Sequence, residues 1–130
     1  MHNAYKIQNL QTVNLIIKLS FTLNPFTKKH KMETQELKKI ASQVRRDIVR
    51  MVSAVNSGHP GGSLGCADFL TVLYFEVMNH NSANFDMDGM GEDVFYLSNG
   101  HISPVWYSVL ARSGYFPVDE LSTFRKLSSR

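Results

Sequence analysis

An apolar repeat with helical spacing is the strongest constraint on how this chain folds. Between residues 34 and 55, apolar side chains recur three or four positions apart or directly beside one another, which predicts one long amphipathic helix. This apolar face consists of Leu37, Ile40, Ala41, Val44, Ile48, Met51, Val52 and Val55. Thr34 is the predicted N-cap. Such a helix is stable only when its apolar face is buried, so the pattern predicts a packed, globular body.

A second apolar segment, from Leu64 or Cys66 to Met78, has almost no polar face. A helix that is apolar nearly all round is typical of a large core or an interface. Because residues 33–130 form only a small body, we expect a partner or further chain to cover part of this helix. Cys66 is the one cysteine, which excludes an intramolecular disulfide and is typical of a reducing compartment. Its place on this helix indicates a core residue rather than a nucleophile.

The rest of the body alternates between loop signals and short apolar runs. Residues 79–92 are rich in Asn, Asp and Gly and are predicted to form a surface loop, while residues 93–98 are predicted to form a short buried strand. Ser103 as N-cap and Pro104 at the first helical position predict a helix that ends near Gly114. A final helix is predicted to begin at about residue 119.

Residues 1–32 differ in composition from residues 33–130. They contain five Lys and no acidic residue, and their apolar pattern is broken, so we interpret them as a poorly ordered basic extension. Met32 is a plausible natural start, and a targeting signal remains an open alternative. Residues 33–130 carry nine Lys and Arg against eleven Asp and Glu, which disfavours a nucleic-acid partner. No run of about 20 apolar residues is present, so no membrane span is predicted.

Two glycine–histidine loops are the candidate functional sites. The first, Ser57-Gly58-His59-Pro60-Gly61-Gly62, lies between the two predicted helices, and its glycines permit a close approach to the backbone. The second, Ser98-Asn99-Gly100-His101, follows the predicted strand, where α/β folds bind ligands. Each loop taken alone could equally be an ordinary turn or helix cap. Neither matches a P-loop or a dinucleotide fingerprint.

Together these loops lie in segments that resemble a known family. NSGHPGGSLGCADFLTVLYFEVMNHN and DVFYLSNGHISPVWYSVLARSGYFPVDELSTFRKL, with the two histidines 42 residues apart, resemble the thiamine-diphosphate domain of transketolases. The resemblance covers residues 37–130 and is closest to the amino-terminal subunit of the split, two-chain bacterial and archaeal enzymes. Deoxyxylulose-phosphate synthase has a similar layout, but the SNGHISP segment is of the transketolase type.

The resemblance implies an α/β fold and assigns roles to both histidines. The chain would be the helix-rich amino-terminal part of a three-layer domain with a mainly parallel sheet. His59 is similar to the family histidine that faces the sugar substrates and assists proton transfer. His101 is similar to the histidine beside the cofactor and the substrate hydroxyls. The neighbouring residues are implied to bind substrate (Ser57 and Gly58) and cofactor (Asn99 and Gly100).

The implied reaction transfers a two-carbon ketol unit from a ketose phosphate to an aldose phosphate, a step of the pentose phosphate pathway. Thiamine diphosphate and magnesium are the implied cofactors, with the metal ligands expected outside residues 1–130 because no GDG motif is present. The activating glutamate is expected on a second subunit or domain, in a cytoplasmic dimer of heterodimers. The alternative is a truncated, non-catalytic chain that only associates with a partner subunit.

Overall fold

Helices and short helical turns are the regular structure of residues 31–85 and 88–129, the part of the chain that the computed structural model describes. In chain order they are α1 (Thr34–Val55), α2 (Pro60–Gly65), α3 (Ala67–Val72), a π-helical turn (Leu73–Val77), a 3-10 turn (Gly100–Ile102), α4 (Ser103–Arg112) and a 3-10 turn (Val118–Thr123). Our prediction for residues 1–32 falls almost wholly outside the described residues. Among the helices that are described, none is long and apolar enough to cross a membrane.

The predicted first helix is confirmed as α1, which forms the centre of the fold. Val44 and Ile48 on its apolar face are fully buried, in a core shared with α3 and α4. Glu33, and not Thr34, is the N-cap residue, and it makes no side-chain capping bond. At the other end Asn56 takes a left-handed conformation (φ 48°), which turns the chain out of the helix.

A buried ion pair joins α1 to α4. Asp47 on α1 is 3% exposed, and its carboxylate accepts two hydrogen bonds from the Arg112 guanidinium, at 2.6 and 3.0 Å. The Ser108 hydroxyl donates a third at 2.8 Å. An acidic residue in the core-facing part of α1 is therefore satisfied by two residues of α4, as a buried charge requires.

The second helical segment begins earlier than predicted and is covered on one side only. Its helical residues begin at Pro60, and the segment divides at Cys66 into α2 and α3. Ala67 and Leu70 are buried against α1, but Phe69 and Val77 are 63% and 67% exposed. The described residues therefore leave part of this segment uncovered, as expected for a body of this size. The physical reason is that α1 and α4 cover one face and no described element packs on the other.

Residues 93–98 do not form the predicted strand, and the described part of the chain contains no strand at all. Asp93 connects this segment to the preceding loop, because its N–H donates a hydrogen bond to the Asn79 carbonyl oxygen at 2.7 Å. Val94 and Tyr96 are exposed, while Phe95 and Leu97 are half-buried. The alternation of a strand is present, but no described segment lies beside it to complete a ladder of backbone hydrogen bonds.

The last part of the body closes a second, smaller core. Leu121 and Phe124 pack there against Met51 and Ala111. The predicted helix after residue 119 is a 3-10 turn, Val118–Thr123. Two further details differ from the sequence-based expectations. Ser103 is the first residue of α4 and not its N-cap. Cys66 is half-buried and packs against the core instead of lying within it.

Candidate functional site

The rings of His59 and His101 lie side by side, although 42 residues separate them in the sequence. Their ring centroids are 6.2 Å apart, and the rings meet edge to face at 62°. Both side chains are exposed. Two imidazoles at this separation, both open to solvent, form a polar centre that a ligand can reach from outside.

The loop that carries His59 depends on one glycine in an unusual conformation. Gly58 has φ +120°, which side-chain-bearing residues rarely adopt, and a Cβ at this position would lie 3.4 Å from the Val52 side chain. The Ser57 N–H donates to the Val52 carbonyl oxygen at 3.3 Å, so the turn folds back on the end of α1. His59 then serves as the N-cap residue of α2 and is followed by Pro60.

The loop that carries His101 is closed by the side chain of Asn99. The Asn99 Oδ1 atom accepts a hydrogen bond from the His101 N–H at 3.2 Å, and the Asn99 carbonyl oxygen accepts one from the Ile102 N–H at 3.2 Å. This local pattern is the usual way in which Asn stabilises a turn. Asn99 therefore orients His101 through the backbone.

The two loops are brought together by a close contact between Gly62 and Ile102. A Cβ on Gly62 would lie 2.9 Å from the Ile102 Cγ2 atom, so only a glycine allows this approach. By contrast, a Cβ on Gly61 or Gly100 would meet nothing within 4 Å. The backbone is therefore open at Gly61, two residues after His59, and at Gly100, directly before His101.

Arg125 also contacts the loop that carries His59, a position for which no sequence pattern predicts a role. Its guanidinium donates a hydrogen bond to the Ser57 hydroxyl at 2.5 Å, across 68 residues of sequence. The residue has φ +57° and its guanidinium lies 5.3 Å from the centre of the Phe124 ring. Nothing in the spacing or periodicity of the last segment indicates this contact, because it depends on how the chain end packs.

A large cavity lies apart from the histidine pair. It has a volume of about 510 Å³, and several aromatic side chains line it, among them Tyr74, Phe95, Trp106 and Tyr115. Burial raises the pKa of Tyr74, although the hydrogen bond that it accepts from Trp106 Nε1 at 2.7 Å acts in the opposite direction. Burial and the charge of Glu92 raise the pKa of Tyr115. These phenols stay protonated at neutral pH, and neither histidine lines the cavity.

The polar groups at the histidine pair can form hydrogen bonds with a polar ligand. Two imidazoles and two uncovered glycine backbones offer hydrogen-bond partners to a polar cofactor. In residues 31–85 and 88–129, no group of three or more His, Cys, Asp or Glu side chains is placed to hold a metal ion. The described residues therefore offer hydrogen-bond partners to a polar organic cofactor, but no such group of metal ligands.

Comparison with known proteins shows the family to which this site belongs. Residues 36–130 match the family described as the thiamine diphosphate binding domain of transketolase. The chain is 43% identical over 94 residues to transketolase 2 of Aliivibrio fischeri and 40% identical over 94 residues to transketolase 2 of Escherichia coli. It is 35% identical over 104 residues to the transketolase of Pongo abelii. The chain therefore belongs to the transketolase family.

The matched regions cover most of this chain and little of each relative. They span 72% of the chain and 14% of the two bacterial relatives, and 80% of the chain and 16% of the Pongo abelii relative. The chain thus spans about one seventh of the length of these relatives. The family domain is of the α/β class in general, whereas the part described here contributes helices.

Proposed function

We propose that this chain supplies two acid–base residues, His59 and His101, to a transketolase-type site that transfers a two-carbon ketol unit between sugar phosphates. The observation that carries the proposal is the pairing of the two exposed imidazole rings at 6.2 Å. An imidazole ring has one nitrogen that can donate a proton and one that can accept a proton, so each ring is suited to exchanging a proton with a reacting oxygen.

The two histidines are proposed to have different roles, which depend on the loop that carries each of them. His101, with Asn99 and Gly100, faces the cofactor, while His59, with Ser57 and Gly58, faces the sugar. Thiamine diphosphate, when bound, supplies the electron sink that cleavage beside a ketose carbonyl requires. The residues of this chain orient the substrate hydroxyls and carry protons to and from them. The uncovered backbones of Gly61 and Gly100 support close approach of a ligand to both rings.

The remaining parts of such a site are proposed to come from outside the described residues. These parts are magnesium and its ligands, and a glutamate on a second subunit or domain that activates the cofactor. The split arrangement, a dimer of heterodimers, is part of this proposal, as is a cytoplasmic location, which the single cysteine favours. The uncovered apolar side chains Phe69, Val72 and Val77 support further packing against another chain or domain.

The test is a pair of alanine variants in an assembled enzyme that supplies the missing groups. His59→Ala and His101→Ala should each lower turnover by about 10²–10⁴-fold, the range for a positioned acid or base. Unfolding midpoints should barely change, because both rings are exposed and bury little apolar area.

His80 provides a matched control for these variants. Its Nε2 atom lies 2.7 Å from the Tyr74 carbonyl oxygen and its ring stacks on Tyr115, with centroids 5.6 Å apart. His80→Ala should therefore lower stability by about 1 kcal/mol and leave turnover near normal. If the His59 and His101 variants behave like His80→Ala, the two histidines are structural and the proposed roles are wrong.

A second candidate function is that of a non-catalytic chain that only associates with a partner subunit, which the uncovered apolar face of α3 favours. Calorimetry of the 130-residue chain with thiamine diphosphate and magnesium bears on both candidates. We expect no saturable, magnesium-dependent binding, because the described residues lack a metal centre. Clear magnesium-dependent binding would refute this expectation and would count against a chain that only associates with a partner.

A further inference from the structure

The hydrogen bond from Arg125 to Ser57 links the histidine pair to the far end of the described chain. Ser57 lies two residues before His59, and its hydroxyl accepts the bond from Arg125 Nη1 at 2.5 Å. A charged donor makes this bond stronger than one between neutral groups. Adding a Cβ to Gly58 would also place it 3.9 Å from the same Nη1 atom, so the guanidinium lies against the loop itself.

The Arg125 side chain is held in place by its neighbour Phe124. Phe124, 6% exposed, is anchored in the second core, and the Arg125 guanidinium lies over its ring at 5.3 Å. Cation–ring contacts of this kind orient an arginine side chain. The left-handed backbone at Arg125 (φ +57°) is uncommon for a residue with a side chain, and it persists only where the surroundings hold it.

The other hydrogen bonds of the first loop are local. The Asn56 and Ser57 N–H groups donate to carbonyl oxygens of Ser53 and Val52, within the last turn of α1. These bonds set the shape of the turn, but they do not determine where His59 stands relative to a segment 42 residues away. The Arg125 bond and the Gly62–Ile102 contact are connections that reach across the fold.

We propose that Arg125 is a positioning residue, which holds the Ser57–His59 loop so that the His59 ring stays beside the His101 ring. Its importance for catalysis rests on the proposed function, but the geometric role does not. Removal of the guanidinium should free Ser57 and let His59 move, while the Gly62–Ile102 contact still keeps α2 on the second loop.

The test measures the ring pair directly, by NMR on the 130-residue chain. The wild-type chain should show a nuclear Overhauser cross-peak between the rings of His59 and His101, which Arg125→Ala should abolish. The cross-peak between His80 and Tyr115, whose stacked rings are 5.6 Å apart, is the internal reference and should persist. Ser57→Ala should also abolish the His59–His101 cross-peak, and Arg125→Lys should restore part of it.

Lys126→Ala is the matched control, since it removes one positive charge from the adjacent exposed residue. It should leave both cross-peaks intact. A His59–His101 cross-peak that survives in Arg125→Ala overturns the proposal, and so does its loss in Lys126→Ala. If Arg125→Ala unfolds and loses both cross-peaks, Ser57→Ala decides: a retained histidine cross-peak there overturns the proposal, and its selective loss supports it.

This outcome is independent of turnover. An assembled enzyme in which the histidine variants remain fully active would refute the proposed function and leave the role of Arg125 in positioning the loop unchanged. Conversely, an active site that depends on both histidines while the Arg125→Ala cross-peak persists would refute the positioning role alone.

Discussion

Replacing Gly62 by alanine should destabilise the chain, although the same change at its neighbour Gly61 should not. Both glycines lie in α2, where alanine is favoured over glycine by up to about 1 kcal/mol. They differ in their surroundings. An added Cβ at Gly62 would lie 2.9 Å from the Ile102 Cγ2 atom, while one at Gly61 would meet nothing within 4 Å.

The size of the effect follows from that 2.9 Å contact. Ordinary van der Waals contact begins at 3.4 Å, so the alanine methyl and the Ile102 side chain must separate by about half an ångström. Ile102 is half-buried and β-branched, so its Cγ2 atom cannot easily rotate away. Overpacking of this kind costs about 1–3 kcal/mol. Because the helix preference is common to both variants, the difference between Gly61→Ala and Gly62→Ala should equal this overpacking cost.

Urea unfolding of both variants, followed by circular dichroism, measures that difference. Gly62→Ala should have the lower midpoint and Gly61→Ala a midpoint at or above that of the wild type. Ile102→Ala removes a side chain that packs against the core, so it lowers stability by itself; in the Gly62→Ala background it should cost less than in the wild type, as expected for two residues in contact. Equal midpoints for the two glycine variants would show that the loops do not meet at Gly62, and the basis for the histidine pair would fail with it.

Two further predictions concern stability. Asp47→Ala leaves the Arg112 guanidinium without its buried partner and should lower the free energy of unfolding by about 3–5 kcal/mol. Asp68→Ala removes only an exposed ion pair with Arg45 and should cost no more than about 1 kcal/mol. Equal urea midpoints for the two variants would contradict this prediction. Because burial raises the pKa of Tyr74, the folded chain holds the phenol proton more tightly than the unfolded chain does. The contribution of Tyr74 to the free energy of unfolding should therefore be fully present below the ordinary phenol pKa of about 10 and decrease as the pH rises above it. Tyr74→Phe should reduce this decrease. An unchanged pH dependence of stability in Tyr74→Phe would contradict the prediction.

The correctly predicted elements are those that depend only on residues close together in the sequence. The apolar spacing of α1 identifies Val44 and Ile48, both fully buried, because a helix of fixed period presents those positions on one face. The end of α4 near Gly114 was also predictable: the helix ends at Arg112, and Gly114 has φ +94°, a conformation that few residues other than glycine adopt. Residues 93–98 show the opposite case: a strand exists only when a second strand accepts its hydrogen bonds, which the local pattern cannot supply.

The sequence by itself determined the long helix, the two glycine–histidine turns and the resemblance to transketolases, because backbone preferences and apolar period act over a few residues. Only the tertiary structure decided that His59 and His101 stand 6.2 Å apart, that Gly62 makes room for Ile102, and that Arg125 reaches Ser57. Such contacts join segments tens of residues apart. They arise from how the helices pack on one another, which no local pattern in the sequence specifies.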